Sequence, residues 1–171
     1  MTPKAAPQTN PLSLSPLHRL ASLAPLALRL PVGVVMAVHG WQKLTQIGPA
    51  NLGKGMLSQL GVPAAVPVAH AMTFAELTGG VLLIVGLLTR LATLPLLVIL
   101  VGAIVLVKTD LGLVAPPGAL LPGAELDLAL IGGLLGVLLL GPGRPSLDHL
   151  LGLETGVPVL LDSRFPTADR R

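Results

Sequence analysis

Apolar residues run through this chain in long blocks, separated by clusters of Gly, Pro and charge, rather than on one helical stripe or at alternate positions. The blocks cover about residues 20–44, 65–88, 91–107 and 124–140. A helix that is apolar all round belongs in lipid, and about 20 such residues cross a bilayer core. The pattern therefore predicts an all-α protein, an integral membrane four-helix bundle. Pro25, Pro31 and Pro95 are compatible with this, because neighbouring helices can satisfy the backbone groups that a proline frees. Arg90 marks a tight turn, so the second and third blocks form a hairpin. The connection over 45–64 carries Gly48, Pro49, Gly53, Gly55, Gly61 and Pro63, yet Leu52, Met56, Leu57 and Leu60 keep helical spacing and predict a short interfacial helix. Residues 108–123, with Pro116, Pro117, Gly118 and Pro122, read as an irregular loop, and Gly141-Pro142-Gly143 stops the fourth block.

Three regions follow: a flexible lead over 1–19, a membrane domain over 20–143, and a cytoplasmic tail over 144–171. Within the tail Ser146 can cap a short helix whose Leu147, Leu150 and Leu151 lie on the membrane surface. The first block is read as a span rather than a cleavable leader, since no small-residue cleavage site follows it. No fixed-period repeat is evident, and the two halves show no similarity.

Composition sharpens the picture. Hydrophobic residues make up 52% of the 171 and charged residues 11%, against about a quarter charged in a soluble domain. With 2% aromatics and no Tyr, base stacking on nucleic acid is excluded, and the absence of Cys removes disulfides and thiolate chemistry. The expected partner is the lipid bilayer. Lys4, Arg19, Arg29, Arg90, Arg144, Arg164, Arg170 and Arg171 fall on one side of a four-span topology, and Lys43, Lys54 and Lys108 on the other. The positive-inside rule then places both termini in the cytoplasm, with Trp41 at the outer interface.

The ionisable residues inside the blocks carry the candidate chemistry. Glu76 falls near the middle of the second span, where a lone carboxylate costs several kcal/mol and must find a partner, face the interior or stay protonated. Arg29, Gly33, Met36, Gly40 and Lys43 share one stripe of the first span, with His39 one turn before Lys43. A polar seam between spans one and two is expected, with two levels: Lys43, Glu125 and Asp127 toward the outside, Arg29 and Arg90 toward the inside. Two readings stay open. The seam either lines a small cavity or proton path, with Glu76 titrating and His39 relaying, or it is a buried pair of Glu76 with Lys43 or Arg29 that fixes helix register. No metal is expected, because His39 and His70 stand on different spans without further ligands at suitable spacing. Gly132 and Gly136, four apart, predict close approach of the fourth span to another helix of the bundle. No nucleophile triad, nucleotide loop or flavin motif is present, so the chain is not expected to be an enzyme on its own.

Four landmarks resemble the DoxX family of small bacterial four-helix membrane proteins. They are Arg29 followed by His39-Gly40-Trp41-Gln42-Lys43, then Glu76-Leu77-Thr78-Gly79-Gly80, Gly86-Leu87-Leu88-Thr89-Arg90, and Gly141-Pro142-Gly143-Arg144-Pro145-Ser146-Leu147-Asp148. The resemblance implies a multi-pass protein of the bacterial cell membrane. Its relatives are linked to quinone-coupled thiosulfate oxidation and to membrane oxidoreductase complexes that resist oxidative stress. It thus implies a quinone as borrowed cofactor and an oxidoreductase subunit as partner, with no intrinsic cofactor. Where family members often carry a histidine or aromatic residue at the outer end of span three, this chain has Lys108, Thr109 and Asp110.

Overall fold

The computed structural model describes residues 22–119 and 122–154. The lead over 1–19 and the tail cations Arg164, Arg170 and Arg171 lie outside the described residues. Six α-helical segments follow one another among the described residues: α1 Ala24–Gln42, α2 Pro49–Leu52, α3 Ala65–Val85, α4 Thr89–Val107, α5 Glu125–Leu140 and α6 Leu147–Leu150. Wider π-helical turns over Lys43–Ile47 and Gly53–Leu57 extend α1 and α2.

Three helical stretches, Ala24–Ile47, Ala65–Val85 and Thr89–Val107, are long and apolar enough to cross a membrane. The fourth expected span, α5, has 16 residues and so reaches about 24 Å, short of the ~30 Å hydrocarbon core. It nevertheless packs as a full member of the fold: α1 lies against α3, α3 against α4, α4 against α5, and α5 back against α1. The core between them holds Val32, Met36, Leu83, Leu96, Leu100, Leu130, Leu134 and Val137. Val98, Val105 and Leu139 are among the many large apolar side chains left exposed on the outside, as a lipid-facing surface requires.

Glycines set the tightest contacts. Gly40 lies on the backbone of Leu77, and Gly80 on the backbones of Gly33 and Ala37, with no room for a Cβ at either position. Small residues there let α1 and α3 meet backbone to backbone. In α5 the residues facing α1 are Gly133, against Val32, and Gly136, against Leu28, whereas Gly132 has open space around it. The expected Gly132–Gly136 face is therefore a Gly133–Gly136 face, three residues apart and equally compatible with one helical stripe.

The connection between α1 and α3 packs part of its apolar face on the bundle. Leu52 and Leu57 bury themselves against Ala69 of α3, with Val62, Ala65 and Met72 alongside, while Met56 and Leu60 stay exposed. The α3–α4 turn is short. Gly86, at φ +71°, ends α3 and donates its N–H to Leu82 O at 2.8 Å. Leu88 then adopts φ +47°, a left-handed conformation costly for a branched side chain.

Candidate functional site

Glu76 lies on the inward stripe of α3 with Ala69, Thr73, Gly79, Gly80 and Leu83, all buried. Because Gly40 brings α1 down onto Leu77, the residue just after α1, Lys43, can reach across. Its Nζ donates to Glu76 Oε1 at 2.5 Å and to Oε2 at 2.6 Å. Glu76 is thus satisfied on both oxygens by one ammonium. The pair is asymmetric in access: the Lys43 side chain is 22% exposed and that of Glu76 only 3%. His39, one turn before Lys43, is half-buried and bonds to neither partner. Thr73, one turn from Glu76, donates instead to Ala69 O at 2.8 Å.

Arg29 sits at the opposite end of α1, 2% exposed, and takes no part in that pair. Its Nη1 donates to Leu83 O and Ile84 O, each at 2.8 Å, and its Nη2 donates to Pro145 O. The last carbonyls of a helix lack intrahelical partners; here a cation from the neighbouring helix supplies two of them and also favours the negative end of the α3 dipole. The Arg29 Nε is buried without a partner.

Asp148 completes that end. It is fully buried, and its carboxylate accepts the N–H of Leu88 at 2.6 Å and of Thr89 at 2.9 Å, the first donors of α4. Its own N–H donates to Gly86 O at 2.8 Å. One acidic residue from beyond α5 therefore caps α4 and offsets the strained Leu88 backbone. Ser146 positions it by accepting the His149 N–H at the start of α6. Arg90 Nε stands 2.9 Å from Glu154 Oε1, an ion pair without an aligned hydrogen bond, because that Nε–H has no partner in line.

The two carboxylates expected beside Lys43 go elsewhere. Asp127 pairs with Lys108, which follows α4, and Lys108 Nζ also donates to Gly123 O at 3.1 Å. Glu125 is exposed at the start of α5, and its backbone N–H donates to Leu113 O at 3.0 Å. The charged groups thus form separate clusters: Lys43 with Glu76, Lys108 with Asp127, Arg29 and Asp148 around the α3–α4 turn, and Arg90 with Glu154.

Residues 24–109, from the start of α1 to just beyond α4, match the family model of DoxX. An uncharacterised membrane protein of Mycobacterium tuberculosis is 38% identical over 144 residues, covering 79% of this chain and 85% of the relative. The chain belongs to the DoxX family. No solved structure matches it. Within this DoxX chain the matched region contains both members of the Lys43–Glu76 pair together with Arg29, Arg90 and Lys108, whereas Asp127, Asp148 and Glu154 lie beyond it.

Lys108, Asp148 and Glu154 are the participants that sequence reasoning passed over. For Asp148 a signal existed, two residues after a capping Ser in the segment that resembles the family. Lys108 stood at the end of an apolar block opposite Asp127, but charge spacing across a Pro-rich loop does not reveal which helices are neighbours.

Proposed function

We propose that this protein is a four-span membrane subunit of a redox-linked system, in which Lys43 and Glu76 receive the polar head of a quinone-like molecule or mark where a soluble oxidoreductase docks. Both termini face the cytoplasm of a bacterial cell, and α5, despite its length, completes the fourth crossing by local thinning of the bilayer. The observation carrying this reading is the asymmetric pair itself. Glu76 is buried with both oxygens on Lys43, while the Lys43 ammonium keeps an accessible edge and one remaining donor for an incoming carbonyl oxygen. Membership of a membrane-protein family supports the location. The test is thermal unfolding of the purified full chain with decylubiquinone, for wild type and Glu76→Gln. The melting temperature of wild type should rise at saturating quinone and that of the variant should not; an unchanged wild type counts against the head-group site.

A second reading, a non-catalytic membrane scaffold, is favoured by a different observation. Arg29, Lys43, Glu76, Lys108, Asp127 and Asp148 all find partners inside the chain. Proton or solute flux in proteoliposomes that Glu76→Gln abolishes would instead make the seam a conduction path. Absence of flux together with a stoichiometric co-purifying oxidoreductase would favour the scaffold.

A further inference from the structure

We infer that α1 with α3, and α4 with α5, are two copies of one helical-hairpin unit, and that Lys108 and Asp127 form a second head-group site equivalent to Lys43 and Glu76. The inference rests on the reading of Lys43 and Glu76 as a site for a hydrogen-bonding head group. The ligand class is the same: an uncharged amphiphile whose carbonyl oxygen can accept from an ammonium.

Packing comes first. The four long helices close a ring in the order α1, α3, α4, α5. Exchanging α1 with α4 and α3 with α5 preserves every neighbour in that ring. Successive members run antiparallel, so the two hairpins point the same way, the relation found in membrane proteins built from parallel repeats about an axis along the membrane normal.

Chemistry repeats at both ends of each hairpin. At one end a lysine stands immediately after the first helix, Lys43 after α1 and Lys108 after α4, and pairs with a carboxylate of the second helix. At the other end the second helix stops at a glycine of positive φ, Gly86 at +71° and Gly141 at +83°. Each of these glycines donates its N–H at 2.8 Å to the carbonyl four residues earlier. Each is also covered by an arginine of the first helix: a Cβ on Gly86 would meet Arg29 Nη1 at 2.6 Å, and one on Gly141 would meet Arg90 Nη2 at 3.1 Å.

The register agrees as well. Arg29 precedes Lys43 by 14 residues and Arg90 precedes Lys108 by 18; Glu76 precedes Gly86 by 10 and Asp127 precedes Gly141 by 14. In both helices of the second hairpin the paired landmarks stand four residues further apart, about one helical turn. A matched insertion of this kind keeps the lysine–carboxylate pair and the arginine over the glycine in register at both ends. It also hides the repeat from any comparison of the sequence at fixed spacing. The units differ beyond the lysine pair, where α3 continues for 11 further residues and α5 for only two.

The experiment counts decylubiquinone bound at saturation to the purified full chain by equilibrium dialysis. Two per chain are expected for wild type, one for Lys43→Met/Glu76→Leu, one for Lys108→Met/Asp127→Leu, and none when both pairs are replaced. Each double replacement removes a buried pair together, which keeps an uncompensated charge out of the fold, and circular dichroism with size-exclusion chromatography checks that it folds. Lys108→Arg/Asp127→Glu, which retains the pair, should still bind two. One quinone per chain, lost on replacing Lys43 and Glu76 but kept on replacing Lys108 and Asp127, overturns the second site and leaves the first intact. No binding to wild type overturns both. Two bound irrespective of the Lys108–Asp127 replacement also refutes the assignment.

Discussion

The two ends of the helical ring are held by different chemistry. At the Lys43 end, side chains chiefly meet side chains, Lys43 with Glu76 and Lys108 with Asp127, with one added bond from Lys108 to Gly123 O. At the Arg29 end, side chains meet backbone: Arg29 takes carbonyls at the end of α3, and Asp148 takes N–H groups at the start of α4. A side-chain pair can be removed as a unit, leaving a hydrocarbon gap but no stranded charge. A backbone group cannot be removed, so losing its capping side chain always strands it. The first end is therefore where evolution or an engineer can alter chemistry, and the second is where the topology is fixed.

Breaking one half of a pair gives the largest expected effect. Lys43→Met leaves the buried Glu76 carboxylate with no cation on it, and loss of one partner from a buried pair costs about 3–5 kcal/mol. Lys43→Met/Glu76→Leu should recover most of that loss. Reversible unfolding in mixed micelles measures both. If the single and double variants lose the same amount, the end is not governed by charge pairing.

Next comes the backbone end. Arg29→Met strands carbonyls of Leu83, Ile84 and Pro145, of which only the bond to Leu83 O is fully buried, so the loss should be about 1–3 kcal/mol in all. No second substitution should rescue it as the apolar double rescues Lys43→Met, because the stranded groups are peptide carbonyls. Asp148→Asn should cost less, about 1–2 kcal/mol, since the amide oxygen still accepts one of the two α4 N–H groups. Asp148→Ala should exceed it. Hydrogen exchange at Leu88 and Thr89 reads the cap directly: both amides should lose protection in Asp148→Ala and keep it in Lys43→Met. Loss of protection in both variants would show the two ends to be one cooperative unit.

The contrast also explains what the sequence disclosed. The helical class, the membrane blocks and the α3–α4 hairpin follow from hydropathy and punctuation, which act locally. Glu76 declared itself because a carboxylate inside an apolar block has few tolerable explanations, and Arg29 because it shares a stripe with Gly33, Met36 and Gly40. Partner choice was less legible. Asp127 goes to Lys108 rather than toward Lys43 because α4, not α1, brings its terminal lysine to the start of α5, and that adjacency depends on the ring order of the helices. The role of Asp148 was hidden for a related reason. Its partners are backbone N–H groups 59 and 60 residues away, and backbone carries no sequence signal. Gly132 misled because glycine in a helix marks either a contact or nothing, and only the neighbours decide.

The smallest effect belongs to the contact that combines the two chemistries least well. Arg90 and Glu154 lie at the Arg29 end, yet they form a side-chain pair, with side chains 41% and 28% exposed and the 2.9 Å approach poorly aligned. Solvent screening and side-chain entropy hold such a pair to a few tenths of a kcal/mol. Glu154→Gln should therefore shift unfolding by less than about 0.5 kcal/mol, and 1 M salt should erase even that, since the Debye length falls to about 3 Å. Lys43→Met should remain severe in the same salt, because its carboxylate is out of reach of counterions. A Glu154→Gln loss as large as that of Asp148→Ala would mean that burial rather than backbone capping sets the strength of the Arg29 end. Insensitivity of both Glu154→Gln and Asp148→Ala would place the stability of that end in the helix packing of Gly33 against Gly80 and Ile84 instead.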